Sequence, residues 1–139
     1  MKTKEFSELS KLTLVMATYG RQEHAKRNMA YWSNTGVIFL VLDASPKPIE
    51  NETLKTFDDN IIYVHDTSHY NERLVNSFSK INTKYTQLIC DDEFYPISAV
   101  LSCIQELEKD ENIISSMGVC LGFDVDKISK KIFSNRTYV

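Results

Sequence analysis

Three consecutive acidic residues, Asp91-Asp92-Glu93, follow directly on the strand-like run Gln87-Leu88-Ile89-Cys90 and are the densest chemical signal in the chain. In extended backbone, residues two apart face the same side, so Asp91 and Glu93 are expected to converge while Asp92 points away or turns into the loop. Carboxylates are hard oxygen ligands, and Mg²⁺ or Mn²⁺ is held by one or two of them together with substrate phosphates and water. Adjacent carboxylates also repel one another, and a divalent cation relieves that repulsion. The competing account is a solvated acidic turn ahead of a helix that begins near Pro96, where the helix dipole also favours negative charge. The choice depends on where the surrounding elements place the triplet.

Four short apolar runs, residues 12–18, 37–43, 61–66 and 86–91, alternate with longer stretches of helical periodicity. That alternation predicts a parallel sheet with crossover helices, and the continuous apolar character of the runs predicts strands covered on both faces. The runs close on Thr18, Asp43, Asp66 and Asp91, at intervals of 25, 23 and 25 residues. In a parallel sheet all four ends lie along one edge, where open α/β sheets bind ligands. A threonine and three aspartates are thus expected to line one crevice, and that position favours metal binding by Asp91 and Glu93.

Residues 21–34 place Ala25, Met29 and Trp32 on one helical stripe, with Gly36 as the stop. Residues 70–82 repeat the pattern with Leu74, Val75, Phe78 and Ile81. Pro96 opens a third helix, where its missing N–H is harmless, with Val100, Leu101, Ile104 and Leu107 as the buried face. Residues 50–57 form a weaker, shorter helix. Residues 117–123 read as a fifth strand, and 128–133 as a hairpin partner across the turn at 124–127.

The chain has 139 residues, the length of about one domain, with 42% hydrophobic and 25% charged residues, the balance of a folded globular protein. A net charge of −3 excludes the strongly basic surface of a dedicated nucleic-acid binder. No apolar run is long enough for a transmembrane segment, and residues 1–11 lack a signal-peptide core, so a cytoplasmic location is expected. Three widely spaced cysteines, Cys90, Cys103 and Cys120, match neither a disulfide framework nor a zinc site, and reduced, mostly buried thiols are expected. Neither GxGxxG nor GxxxxGK[ST] occurs, so bound phosphates would be met by a metal and basic side chains.

Taken in order, these segments resemble a known family. Leu14-Val15-Met16-Ala17-Thr18-Tyr19-Gly20-Arg21 is similar to the opening strand and loop of family 2 glycosyltransferases, and Leu40-Val41-Leu42-Asp43-Ala44-Ser45 resembles their second strand with its acidic end. Tyr70-Asn71-Glu72-Arg73-Leu74 continues the match. The segment from Tyr85 through Asp91-Asp92-Glu93-Phe94 is similar to the strand that delivers the family's DxD motif, with Glu93 where the second Asp usually stands. The resemblance spans most of residues 12–123. It implies a three-layer α/β sandwich with a mostly parallel central sheet, a Rossmann-like GT-A domain over residues 1–139. It also implies a sugar transferred from a nucleoside-diphosphate sugar to an acceptor (glycan, lipid-linked sugar or protein) with help from Mn²⁺ or Mg²⁺.

Carried over residue by residue, Thr18 and Tyr19 border the nucleotide, Asp43 contacts base or ribose, and Asp91 and Glu93 lie at the metal and diphosphate. Arg21 and Arg73 are candidates for phosphate or base contacts, and Asp92 for the substrate side of the crevice. Asp66, read from its own position at the third strand end, can help bind the nucleotide or cap the following turn. The family's catalytic base and acceptor elements follow its fifth strand. Beyond that strand this chain offers only Asp124 and Asp126 as acids, and no base is assigned. A non-catalytic nucleotide-sugar-binding module is therefore the competing function. An aspartyl phosphotransfer domain ranks below both, because such domains carry their acid at the end of the first strand, where Thr18 stands.

The remaining reactive types have plainer readings. His24 sits among Lys26 and Arg27 on a solvated helix flank, His65 and His69 are loop histidines beside Asp66, and Cys90 lacks the histidine partner a nucleophile needs. Tyr19, in the first crevice loop, can stack on a base or pack on its own domain.

Overall fold

The computed structural model describes residues 7–138, and its chain divides into two compact units, one running to Tyr95 and the other beginning at Pro96. The first unit contains four strands: β1 (Leu12–Thr18), β2 (Ile38–Asp43), β3 (Ile61–His65) and β4 (Tyr85–Ile89). Its helices are α1 (Gln22–Trp32), the single turn α2 (Asn51–Leu54) and α3 (Tyr70–Ser77), which tightens into a 3₁₀ turn over Phe78–Lys80.

The strands form one all-parallel sheet in the order β3-β2-β1-β4. The registers Thr18↔Asp43 and Asp43↔His65 bring the carboxyl ends of β1, β2 and β3 to one edge, as the spacing of the polar run ends predicts. From β1 the chain builds outward through β2 and β3, then crosses back to lay β4 on the other side of β1. The strand order, though not the strand direction, therefore reverses between β1 and β4. The protein is an α/β protein with a four-stranded parallel sheet, an arrangement compatible with a Rossmann-like fold.

Leu14, Val15 and Met16 are all buried, as are Phe39 to Leu42. Neighbouring strand residues point to opposite faces, so the two central strands are covered on both sides. On one face, the α1 residue Trp32 lies 6.5 Å, ring centre to ring centre, from Phe39. On the other, Leu74 of α3 and Ile81 pack with Ile62 and Val64 against Val15, Leu40 and Leu42. Each fully buried side chain of this size contributes roughly 1.5–3 kcal/mol through removal from water. The outer strands are wetter, and Leu88 of β4 is half exposed.

Helix α1 buries Ala25, Asn28, Met29 and Trp32, the expected stripe with one polar addition. It stops at Trp32, ahead of the expected end at 34, because Ser33 turns extended (ψ 136°) and Asn34 follows in the left-handed conformation (φ 58°), both before Gly36. In α3, Leu74 faces the core as expected, whereas Val75 and Phe78 are exposed and Arg73 and Ser77 take the buried positions. The 3₁₀ tightening after Ser77 shifts the periodicity and turns Phe78 outward.

The second unit holds α4 (Ile97–Leu107) and an antiparallel hairpin of β5 (Cys120–Val125) and β6 (Ile132–Tyr138). Val100 and Ile104 are the buried residues of α4. The expected hairpin is present, but its strands start later than the apolar pattern indicates. They form a separate two-stranded sheet.

Among the described residues no helix is long and apolar enough to cross a membrane.

Candidate functional site

At the point where the sheet reverses, the carboxyl ends of β1 and β4 border an open concavity of about 530 Å³. Its lining includes Thr18, Tyr19, Arg21, Asp91, Asp92 and Glu93, six of the residues singled out in the sequence, with Tyr70, Leu88 and Tyr95 beside them. Asp43, Asp66 and Arg73 do not line it. A crevice at the strand-order reversal is where open parallel sheets hold ligands, because the flanking loops diverge there and leave helix and strand ends facing solvent.

Asp91 is the hub of this edge. It is buried, and its Oδ2 accepts a 2.7 Å hydrogen bond from the Thr18 hydroxyl. The Arg21 guanidinium bridges two carboxylates, with Nη1 3.0 Å from Asp91 Oδ1 and Nη2 3.2 Å from Asp92 Oδ2. Helix α1 fixes the backbone at the same residue: the Asn28 amide donates to the Asp91 carbonyl at 2.9 Å and Arg27 Nη2 donates to it at 3.3 Å. The β1-α1 segment thus holds both the side chain and the main chain of Asp91, through Thr18, Arg21, Arg27 and Asn28 of the same unit.

The triplet does not continue the strand. Strand β4 ends at Ile89 and residues 91–92 form a turn, so the two-residue alternation that predicts convergence of Asp91 and Glu93 lapses before it reaches them. The structure instead joins Asp91 to Asp92 through Arg21. Glu93 folds back: its Oε2 accepts from the Cys90 backbone N–H at 3.2 Å and from the Tyr95 hydroxyl. Cys90 is exposed, contrary to the expected burial, because the chain has left the sheet at that residue. Local desolvation, followed by the charges of Glu93, Asp92 and Asp91, pushes its thiol pKa up, which keeps it protonated and opposes a nucleophilic role.

The second strand's acid serves the frame. Asp43 is fully buried and accepts hydrogen bonds from Gln22 Nε2 (2.7 Å), the Tyr63 hydroxyl (2.7 Å) and the Ser45 N–H (2.8 Å). Burial works against its charge, but the hydrogen bonds from Ser45, Tyr63 and Gln22 outweigh it and hold the carboxyl below the ordinary range. Burial and the Asp43 carboxylate together push the Tyr63 phenol up. Ser45 also ties in the first loop, its hydroxyl accepting from the Gly20 N–H at 3.0 Å. Gly20 has a left-handed φ of 66°, a conformation that a side chain would strain, and it turns the chain from β1 toward Arg21.

Arg73 is buried, and its Nη1 donates to the Leu42 and Thr18 carbonyls at 2.8 and 3.2 Å, clasping the ends of β2 and β1 from behind. Its Nε is buried without an acceptor. Asp66 closes a local turn by accepting from the Ser68 N–H at 2.9 Å. His65 Nε2 lies 2.7 Å from the Ser45 carbonyl.

Among the described residues, no group of three or more His, Cys, Asp and Glu side chains gathers closely enough to hold a metal by itself. The pair Asp91 and Asp92 nevertheless shares one cationic group, the Arg21 guanidinium, and two carboxylates are the usual protein share of a Mg²⁺ or Mn²⁺ site completed by phosphates and water. An ion shared by these two carboxylates would depend on ligand phosphates and water for the rest of its coordination shell. Asn28 and Arg27 are contributors that the sequence reading passes over. The signal for Asn28 was its place on the stripe of Ala25, Met29 and Trp32, where a polar residue must find a buried partner.

No family model matches the chain, and no curated protein matches it significantly.

Proposed function

We propose that this chain binds a nucleoside-diphosphate sugar in the β1/β4 crevice, as the donor-binding part of a metal-assisted glycosyltransferase with a three-layer GT-A architecture. One observation carries the reading: Asp91, Asp92 and Arg21 meet Thr18 and Tyr19 at the strand-order reversal of a parallel sheet. The concavity falls within the roughly 300–1,000 Å³ of small-molecule sites. Its two kinds of group suit the two ends of such a ligand. Tyr19, two-thirds exposed, offers an aromatic face to a base, and the charged end at Asp91, Asp92 and Arg21 suits a cation-bound diphosphate.

Asp91 and Asp92 would hold Mn²⁺ or Mg²⁺, which supplies charge stabilisation for a departing diphosphate. Thr18 orients the Asp91 carboxylate and Asn28 and Arg27 fix its backbone, so the ligating group is set before a ligand arrives. Glu93, engaged by Tyr95 and the Cys90 N–H, shapes the turn that carries both aspartates. The acceptor, whether glycan, lipid-linked sugar or protein, would approach from the open side of the crevice. The experiment is calorimetry of UDP, GDP, CDP and TDP with and without Mn²⁺, followed by sugar-nucleotide turnover over a panel of acceptors. At least one nucleoside diphosphate should bind, and at least tenfold more tightly with Mn²⁺. Absence of binding by all four overturns the proposal, whereas binding without turnover identifies a non-catalytic donor-binding module.

A further inference from the structure

The crevice has an apolar wall that is independent of its carboxylates. We infer that Tyr70 forms, with Tyr19, an aromatic subsite that holds the base of the incoming nucleotide without help from a cation. The inference rests on the proposed nucleotide reading and adds the residue that selects for a flat ring.

Three exposed side chains from different elements border the same hollow: Tyr19 from the loop after β1, Tyr70 from the first turn of α3 and Leu88 from β4. Single apolar residues scattered over a surface are ordinary, but three around one concavity leave a patch for a ligand to cover. Among the described residues neither tyrosine ring meets another ring and neither hydroxyl makes a hydrogen bond, so both side chains are available. Leu88 shares the wall because of its register. It pairs with Val15, whose side chain packs against Leu74, so Leu88 lies on the sheet face that α3 covers. The helix shelters Val15 and leaves Leu88 half exposed.

The two tyrosines are set in place before a ligand arrives. Arg73 lies three residues after Tyr70 on α3, on the same side of the helix, and donates to the carbonyl of Thr18, the residue before Tyr19. One clasp thus ties the start of α3 to the end of β1, which lowers the ordering cost of binding between them. The N-terminus of α3 is already engaged, since the Glu72 carboxylate accepts from the His69 N–H at 3.3 Å. Tyr70 therefore contributes a ring to the crevice rather than an anion-binding helix end.

A nucleobase suits this wall. It is neutral, so the nearby carboxylates do not repel it, and its flat faces stack on aromatic rings. A sugar ring carries hydroxyls around its rim and would ask for more hydrogen bonds than the two phenols give. A bare diphosphate faces Asp91, Asp92 and Glu93 in the lining against Arg21 alone and is repelled.

The test is saturation-transfer NMR titration of the whole chain in EDTA with uridine, cytidine, thymidine and guanosine, and with methyl glucoside as the sugar control. At least one nucleoside should bind the wild type, and methyl glucoside should not. Tyr70→Ala should bind that nucleoside roughly five- to 150-fold more weakly, the range of base–aromatic stacking. Tyr70→Phe keeps the ring and should restore binding, and circular dichroism should report both variants folded. The inference alone is overturned if Tyr70→Ala binds the nucleoside as tightly as the wild type, or if Tyr70→Phe is as weak as Tyr70→Ala. It is also overturned if nucleoside diphosphates bind with Mn²⁺ while no nucleoside binds in EDTA, or if methyl glucoside binds in place of the nucleosides. If no nucleoside and no nucleoside diphosphate binds, with or without Mn²⁺, the proposed site falls and the inference with it.

Discussion

Replacing Asp43 by Asn tests whether the second strand's acid is a ligand contact or a structural hub. The change keeps shape and removes charge. Asp43 receives three hydrogen bonds in a fully buried position, from Gln22, Tyr63 and Ser45. Hydrogen bonds to a charged group are worth about 1.5–3 kcal/mol each, and the amide can still accept some of them. One donor must then face the new NH₂ group, so the net loss should be about 2–3 kcal/mol. With a urea slope near 1–2 kcal/mol/M for a domain of this size, the unfolding midpoint should fall by roughly 1–3 M.

The pH dependence has a fixed sign. The folded Asp43 pKa lies below its ordinary value, so its stabilisation is complete above the unfolded pKa and is lost as the pH falls through the folded value. The gap between wild type and Asp43→Asn should therefore be constant from neutrality to mild acid and should narrow below about pH 4. Tyr63→Phe should remove part of the same stabilisation, and the double variant should lose less than the two single losses combined, since both act on one bond. Equal urea midpoints at pH 7, or a gap that widens in acid, would refute the reasoning.

Other changes probe the remaining groups. Arg73→Met should lower stability by about 2–4 kcal/mol, seen as a fall in Tm, because the carbonyls of Leu42 and Thr18 lose their buried donor; an unchanged Tm with lost nucleotide binding would instead mark Arg73 as a ligand contact. Asp91→Asn should abolish the Mn²⁺-dependent part of nucleoside-diphosphate binding while circular dichroism still reports a folded chain, and unchanged Mn²⁺ dependence would remove Asp91 from the site. Iodoacetamide alkylation of Cys90 should rise with pH through a midpoint above the ordinary thiol value of about 8.5, and Glu93→Gln should move that midpoint down, since Glu93 is the first of the neighbouring charges raising it.

The parallel sheet was legible because its central strands are continuous apolar runs, such as Leu14 to Met16 and Phe39 to Leu42, and because Thr18, Asp43 and Asp66 recur at nearly equal spacing. The gathering of Thr18, Arg21 and the Asp91 region at one edge followed from that spacing. Side-chain direction within the triplet was not legible: alternation is a property of extended chain, and nothing in Asp91-Asp92-Glu93 announces that the extension stops at Ile89. Arg73 misled for a related reason. An arginine near a crevice reads as a phosphate contact, and only the ends of β1 and β2, brought together in space, offer the two carbonyls that bury it. In α3, Val75 falls on the side of the helix opposite the buried Arg73 and Ser77, and the tighter turn after Ser77 ends the periodicity that would place Phe78 on the stripe.

The two walls of the crevice are built to different standards. On the β1 and β2 side, Arg73, Ser45 and Asp43 lock the loops to the core, so substitutions there threaten the whole domain. On the β4 side, Asp92 is tied to Arg21 and Phe94 packs on Tyr31, whereas the exposed Glu93 is held, among the described residues, by its near neighbours Cys90 and Tyr95. Variation in what this crevice accepts is therefore cheapest to introduce at Glu93, where a new side chain can reshape one jaw while the other stays fixed.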